Sequence, residues 1–126
     1  MNILAIDTCT EVASITLYSS GVKTSRMVSD IAKSSGHILK LCDEVFSEAD
    51  IKLSEVDFIT YTKGPGAFTG VRMCIGVVQG LSLACNTPTL GFSTLELLGY
   101  RASKKFNTQK VATAIDARMG EVYWAV

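Results

Sequence analysis

The sequence lacks an excess of charge of either sign, and this limits how it could contact nucleic acid. Twelve Lys and Arg residues balance twelve Asp and Glu residues among 126 residues, so the formal net charge is zero. A domain that grips nucleic acid by itself usually carries a basic excess or a basic stripe. The nearest approach to one is the pair Lys104 and Lys105. We therefore expect any link to RNA to be made through a partner.

The sequence also lacks paired cysteines, paired histidines and a long uninterrupted apolar run. None of its four cysteines forms a CxxC pair, and the residue four positions after its single histidine, His37, is Leu41. A disulfide framework and a metal site are therefore not expected. No signal peptide precedes the first strand-like run, and the apolar stretch Val71–Cys85 contains an arginine and a glutamine and is too short to span a bilayer. We expect a cytoplasmic protein that has no metal, no cofactor and no membrane contact.

Hydrophobic residues make up 48% of the chain and charged residues 19%, which is typical of one globular domain. Periodicity and turn residues predict the order βββαβαβαββ. The expected strands are Asn2–Thr8, Val12–Tyr18, Val22–Val28, Val56–Thr62, Thr89–Phe92, Val111–Asp116 and Glu121–Val126, and the expected helices are Gly36–Ala49, Thr69–Cys85 and Thr94–Lys104. Ser34 or Ser35 is the expected cap of the first helix and Ser93 that of the third.

An antiparallel meander followed by crossover helices is typical of an α/β lobe of the ribonuclease-H-like, actin-like (ASKHA) class, with a mixed five-stranded sheet. We detect no internal repeat and no linker. The chain stops at Val126, inside an apolar strand. Strands rarely end a domain unprotected, so we expect residues 1–126 to be the first lobe of a chain that continues into a second.

Two segments at strand ends have the residue types of a phosphate site. Asp7 and Thr8 end the first strand, and Gly64 and Gly66 belong to a loop that opens onto the second helix. Backbone N–H groups in such turns and at helix N-termini attract anions. The loop lacks the Gly-Lys-Ser/Thr ending of a P-loop. The alternatives are a strand-end Asp that bonds its own turn, which we favour for Asp7, and a tight strand-to-helix connection for the loop.

The second helix has one face that is neither a typical core face nor a typical solvated face. Its sheet-facing side is expected to contain Met73, Val77, Leu81, Ala84 and Cys85, whereas the opposite side contains Arg72, Ile75, Gly76, Gln79 and Leu83. Gly76, Gly80 and Ala84 form a row of small residues four apart, which permits close backbone approach. A mixed face of this kind favours a protein–protein contact, although a second lobe could also cover it.

Several of these segments together resemble the TsaB (YeaZ) family along essentially the whole chain. The matching segments are Ile3–Thr8, Lys63–Arg72, Gly76–Leu81, Gly91–Leu95 and Ile115–Ala125. Two of these segments are the glycine loop with the start of the second helix, Lys63–Arg72, and the final segment, Ile115–Ala125. Together they are highly specific for the family, whereas either alone would be only suggestive.

The resemblance implies a non-catalytic partner subunit in bacterial synthesis of threonylcarbamoyladenosine, next to the anticodon of ANN-decoding tRNA. It implies pairing with the catalytic subunit TsaD through the first two helices, completion of the assembly by the ATPase TsaE, a possible homodimer in isolation, and only indirect contact with tRNA. The metal-binding histidine pair of TsaD is absent, since Leu41 stands at the matching distance from His37. The interface residues that follow are Leu41, Val45, Arg72, Ile75, Gly76, Gln79, Gly80 and Leu83.

Two other functions fit parts of the pattern. A stand-alone actin-fold phosphotransferase would hold a nucleotide between two lobes. A ribonuclease-H-like nuclease would need several clustered carboxylates for two metals, and Asp7, Asp57 and Asp116 are too few and too scattered. A protease is not indicated, because the chain has no nucleophile paired with its single histidine.

Overall fold

The computed structural model describes residues 1–29 and 36–126. The strands are β1 Asn2–Asp7, β2 Val12–Ser19, β3 Val22–Ser29, β4 Phe58–Thr62, β5 Thr89–Phe92, β6 Thr113–Arg118 and β7 Glu121–Ala125. The helices are α1 Ile38–Ala49, α2 Phe68–Cys85 and α3 Thr94–Phe106, and a 3₁₀ turn covers Leu53–Glu55.

Five strands form one mixed sheet in the order β3-β2-β1-β4-β5. The β1–β2 and β2–β3 pairs are antiparallel, while β4 runs parallel to both β1 and β5. Strands β6 and β7 form a separate antiparallel hairpin. The chain has the α/β, ribonuclease-H-like and actin-like fold expected from its element order.

The core lies on one face of the sheet, because side chains alternate between the two faces of a strand. Leu4, Ile6, Ile15, Leu17 and Ile59 are buried on that face, where α1 and α2 cover them. The opposite face carries Ala5, Asp7 and Thr60, and Leu97 of α3 lies with these three around one cavity. Helix α3 therefore occupies the side of the sheet away from α1 and α2.

The second helix meets the sheet along a narrower stripe than expected. Its buried residues are Gly70, Cys74 and Val78, with Met73, Val77 and Leu81 half-buried beside them and Ala84 exposed. The expected sheet-facing side was therefore centred on the wrong residues. Because Gly70 has no side chain and Cys74 has a small one, α2 approaches the end of β1 closely along this side.

Helix α2 is also longer than the apolar stretch in the sequence suggests. It spans 18 residues and is apolar enough, by length and composition alone, to cross a membrane, so the expectation that this segment is too short is wrong. The core helix of a soluble protein meets the same criterion.

Other boundaries shift by a few residues. The N-cap of α1 is His37, which makes no side-chain capping bond, and the caps expected at Ser34 or Ser35 lie outside the described residues. The cap expected at Ser93 is confirmed, because its hydroxyl accepts a bond from the N–H of Leu95. Strand β4 begins at Phe58 rather than Val56, because the N–H of Val56 still closes the 3₁₀ turn.

Candidate functional site

The carboxyl ends of three parallel strands meet at one edge of the sheet. Strand β1 ends at Asp7, β4 at Thr62 and β5 at Phe92. Ligands of open α/β sheets bind outside this edge, so the polar groups here are the first candidates for a functional site.

The first of these groups, the Asp7 carboxylate, is engaged by its own turn. Its Oδ1 accepts a bond from the N–H of Cys9 at 3.0 Å and another from the hydroxyl of Thr62 at 2.6 Å. The buried Thr8 hydroxyl donates to the carbonyl oxygen of Gly70 at 2.6 Å. These bonds give Asp7 and Thr8 a structural role that needs no phosphate.

The glycine loop packs directly against that turn. A Cβ atom at Gly66 would overlap the carbonyl oxygen of Cys9, and one at Gly70 would overlap that of Thr8. The N–H of Ala67, at the start of α2, donates to the Cys9 carbonyl oxygen at 3.0 Å. Gly64 adopts a φ of +98°, which a residue with a side chain rarely tolerates. Close backbone approach at Gly66 and the positive φ of Gly64 therefore account for the two glycines that made this loop a phosphate candidate.

Three cysteines, Cys9, Cys42 and Cys74, are buried, and their thiols have raised pKa values. Burial raises the pKa of the Cys9 thiol above its ordinary value of 9.0, the Thr62 side chain acts in the opposite direction, and the Asp7 charge adds to the increase. Burial also raises the pKa of Cys74 to about 11 and that of Cys42 to about 12. Because the thiolate is the reactive form, these cysteines behave as small core residues.

A cleft of about 670 Å³ separates the β1–β2 turn and the start of α2 from the β6–β7 hairpin. Its charged lining residues are Glu11, Asp116 and Arg118. Asp116 Oδ1 accepts a bond from the N–H of Arg118 at 2.7 Å, as expected of a reverse turn. Asp57 lies at the opposite end of β4 and accepts a bond from the N–H of Asn2. In residues 1–29 and 36–126, no three His, Cys, Asp or Glu side chains are grouped closely enough to hold a metal ion.

The side of α2 that points away from the sheet is open. Arg72, Gly76, Gln79, Gly80 and Leu83 are all exposed, and Leu83 exposes 87% of its surface. Apart from the adjacent residues and the backbone of α2 itself, no atom of the described residues lies within 4 Å of where a Cβ would stand at Gly76 or Gly80. We call these five residues the outward face of α2.

Two neighbours extend this surface. The half-buried Ile75 lines a groove of about 470 Å³ with Gln79 and Leu83. Phe68, which sequence reasoning missed, is exposed and lies under the guanidinium of Arg72, 4.6 Å from ring centre to Cζ. Its position four residues before Arg72 places it on the same helix face, so helical spacing could have identified it.

The two expected interface residues on α1 are wrong. Leu41 exposes 8% of its surface and Val45 none, and both belong to the core. They lie on the stripe of α1 that covers β2 and β3, so they are unavailable to a partner. The exposed large apolar residue of α1 is Leu39, which precedes the exposed Lys40 in the first turn of the helix.

Comparison with known proteins gives consistent matches. Residues 29–126 match the family model "TsaD: tRNA N6-adenosine threonylcarbamoyltransferase". The chain is 40% identical over 125 residues to the tRNA threonylcarbamoyladenosine biosynthesis protein TsaB of Escherichia coli K12, covering 99% of this chain and 54% of that protein. The solved structure of YeaZ from Pseudomonas aeruginosa superposes with a TM-score of 0.90 at 44% identity, over 98% of this chain and 58% of that one.

The chain thus spans about half the length of the relatives that it matches. A more distant structure, Thermus thermophilus RuvC bound to a Holliday junction substrate, has a TM-score of 0.52 at 9% identity and shares the fold alone.

Proposed function

Because this chain belongs to the TsaD family and matches the TsaB (YeaZ) proteins of that family along nearly its whole length, we propose that it is part of a non-catalytic partner subunit. The TsaB relatives are named for tRNA threonylcarbamoyladenosine biosynthesis. The proposed role is to bind and support the catalytic TsaD subunit, in the cytoplasm, in an assembly that TsaE completes.

The observation that carries this proposal is the outward face of α2. Its two glycines leave the helix backbone open, with Leu83 and Gln79 beside them and no neighbour within 4 Å of either missing Cβ. Small residues spaced four apart let a second helix approach closely, and exposed aliphatic residues beside them supply apolar area for the contact. TsaD is the proposed occupant because it has the same fold family, and a second copy of this chain is the competing occupant in isolation.

The alternative, a stand-alone phosphotransferase, has less support. The cleft beside β6 and β7 is large enough for a small ligand. However, the Asp7 carboxylate and the Thr8 hydroxyl bond their own surroundings, and the glycines of the loop serve close packing. The geometry therefore favours a scaffold over an ATP-dependent enzyme.

The test is the affinity of the complete protein for TsaD after Gly76→Leu and Gly80→Leu. We expect the dissociation constant measured by calorimetry to rise roughly tenfold or more, because two large side chains would separate the helices. Replacing a helical glycine at an open position raises helix propensity by up to ~1 kcal/mol, so the variant should be at least as stable as the parent protein.

The matched control is Ala112→Leu, an added side chain at an exposed position outside α2. If the glycine variant bound TsaD with unchanged affinity, the outward face of α2 would not be the interface. Hydrolysis of ATP by the complete protein without any partner would favour the phosphotransferase instead.

A further inference from the structure

Although the chain is neutral overall, its charge is unevenly placed along the sequence. Residues 97–115 contain four of the twelve cations and no acidic residue, which leaves eight cations against twelve acidic residues elsewhere. This segment comprises all but the first three residues of α3, the connection to β6 and the first three residues of β6. The neutral net charge of the chain therefore includes a local basic region that is larger than the pair Lys104 and Lys105.

Aromatic rings are interleaved with these cations on the surface. Tyr100 and Phe106 expose 63% and 69% of their surfaces. The ammonium of Lys104 lies 5.5 Å from the centre of the Tyr100 ring, and that of Lys105 lies 5.5 Å from the centre of the Phe106 ring. Together with Arg101 these side chains line one shallow, open depression. We call these five residues the α3 patch.

The favourable effect of cations at a helix C-terminus explains only part of this arrangement. Lys104 and Lys105 lie in the last turn of α3, where they interact with the helix dipole. The dipole gives no reason for Arg101, which is a turn earlier, or for two aromatic rings held in solvent. Large exposed rings beside cations mark a contact surface.

We propose that the α3 patch binds RNA directly, with its cations on phosphates and its rings stacked on unpaired bases. RNA-binding surfaces combine these two groups, because bases stack on aromatic and guanidinium planes while Lys and Arg pair with the backbone. An acidic protein would satisfy the cations and leave the rings without a function. The location also fits, because α3 lies on the face of the sheet opposite to α2, so a protein docked on the outward face of α2 leaves the patch free.

This proposal revises the expectation that RNA is reached only through a partner. It rests on the proposed function only for the choice of tRNA as the RNA.

The experiment measures binding of a fluorescently labelled, ANN-decoding tRNA transcript to the complete protein by anisotropy, at several salt concentrations. The charge variant is Lys104→Ala with Lys105→Ala, the ring variant is Tyr100→Ala with Phe106→Ala, and the control is Lys23→Ala with Lys52→Ala, two exposed lysines elsewhere.

The charge variant should weaken binding and reduce the slope of log K against log salt by between one and two, since each lost phosphate contact removes ~0.7 to 0.9 from the slope. The ring variant should weaken binding roughly tenfold and leave the slope unchanged, because stacking releases no counterions. The control should bind as the parent does. Calorimetry with TsaD should give the same affinity for all three variants, so failure of the scaffold proposal would not be mistaken for failure of this one.

Three results would each overturn the proposal. The charge variant and the control could bind the transcript equally well, which would remove the patch from binding. The ring variant could bind as the parent does, which would reduce the patch to a general polyanion contact. A polyglutamate of matched charge could displace the transcript as effectively as unlabelled tRNA does, which would make the surface a site for an acidic protein.

Discussion

Two turns of this chain begin with the same three residues but differ in their surroundings. Ala5-Ile6-Asp7 leads into the β1–β2 turn, and Ala114-Ile115-Asp116 leads into the turn between β6 and β7. In each turn the aspartate Oδ1 accepts the N–H two residues later, at 3.0 Å from Cys9 and 2.7 Å from Arg118. The structure therefore reveals a local repetition that sequence analysis did not detect.

The difference between the turns is what packs on them. The first turn lies beneath the glycine loop, so that Thr8 and Cys9 are almost fully buried. The second turn projects into solvent, with Met119 fully exposed and the backbone of Arg118, Met119 and Gly120 in left-handed conformations. An identical local hydrogen bond can thus belong to a core or to a surface, and three residues of sequence do not decide which.

The largest change in the free energy of unfolding should come from a substitution that pushes the glycine loop away from the first turn. Gly70→Ala places a methyl group where the Thr8 carbonyl oxygen stands, and because the obstacle is backbone, we expect a loss of ~3 kcal/mol in the free energy of unfolding. Gly76→Ala, six residues later in the same helix, meets no atom within 4 Å and should gain up to ~1 kcal/mol. Urea unfolding of both variants measures the difference, and equal stabilities would show that the loop does not press on the turn.

A smaller effect should come from removing each aspartate. Asp7→Ala leaves the N–H of Cys9 and the buried hydroxyl of Thr62 without a hydrogen-bond acceptor. This should lower the free energy of unfolding by ~2 kcal/mol. Asp116→Ala breaks one exposed bond and should cost ~0.5 kcal/mol. Asp7→Asn keeps an acceptor oxygen and should restore part of the loss. Equal losses in the free energy of unfolding for the two alanine variants would mean that burial does not strengthen the contribution of the first aspartate to stability.

Sequence reasoning predicted most of the fold because the signals were local. Alternating strands, the Ser93 cap and the apolar stripe of α1 each follow from residues close together in the chain. The separate status of β6 and β7 was not predicted, because which strands pair into one sheet depends on contacts distant in sequence.

The candidate sites were predicted less evenly. Exposure at Gly76, Gly80 and Leu83 agrees with the expected outward face. Leu41 and Val45 were assigned to an interface although their helical spacing already placed them on the core stripe. The role of Gly66 and Gly70 could not be read from the chain, because it depends on the carbonyl groups of a turn more than fifty residues earlier.

The last comparison is between the reaction rates of thiols placed at the same position of the two turns. Cys9 donates its N–H to the first aspartate and Arg118 to the second, so Arg118→Cys puts an exposed thiol where the first turn has a buried one. Because burial raises the pKa of Cys9 and also excludes the reagent, the new thiol should react with iodoacetamide roughly tenfold faster or more. Cys85→Ser, in both proteins, removes the half-buried thiol that would otherwise compete.

The same pKa difference has a consequence for stability at alkaline pH. The unfolded Cys9 thiol ionises near its ordinary value of 9.0, while the native thiol holds its proton to higher pH. The native state then binds more protons, so the free energy of unfolding falls as pH rises above 9, by less than ~1.4 kcal/mol per pH unit for one thiol. Cys42 and Cys74 act in the same direction. Cys9→Ala should make the decline shallower, whereas Arg118→Cys should leave it unchanged. A decline that is identical with and without Cys9 would show that the first turn opens to solvent as readily as the second.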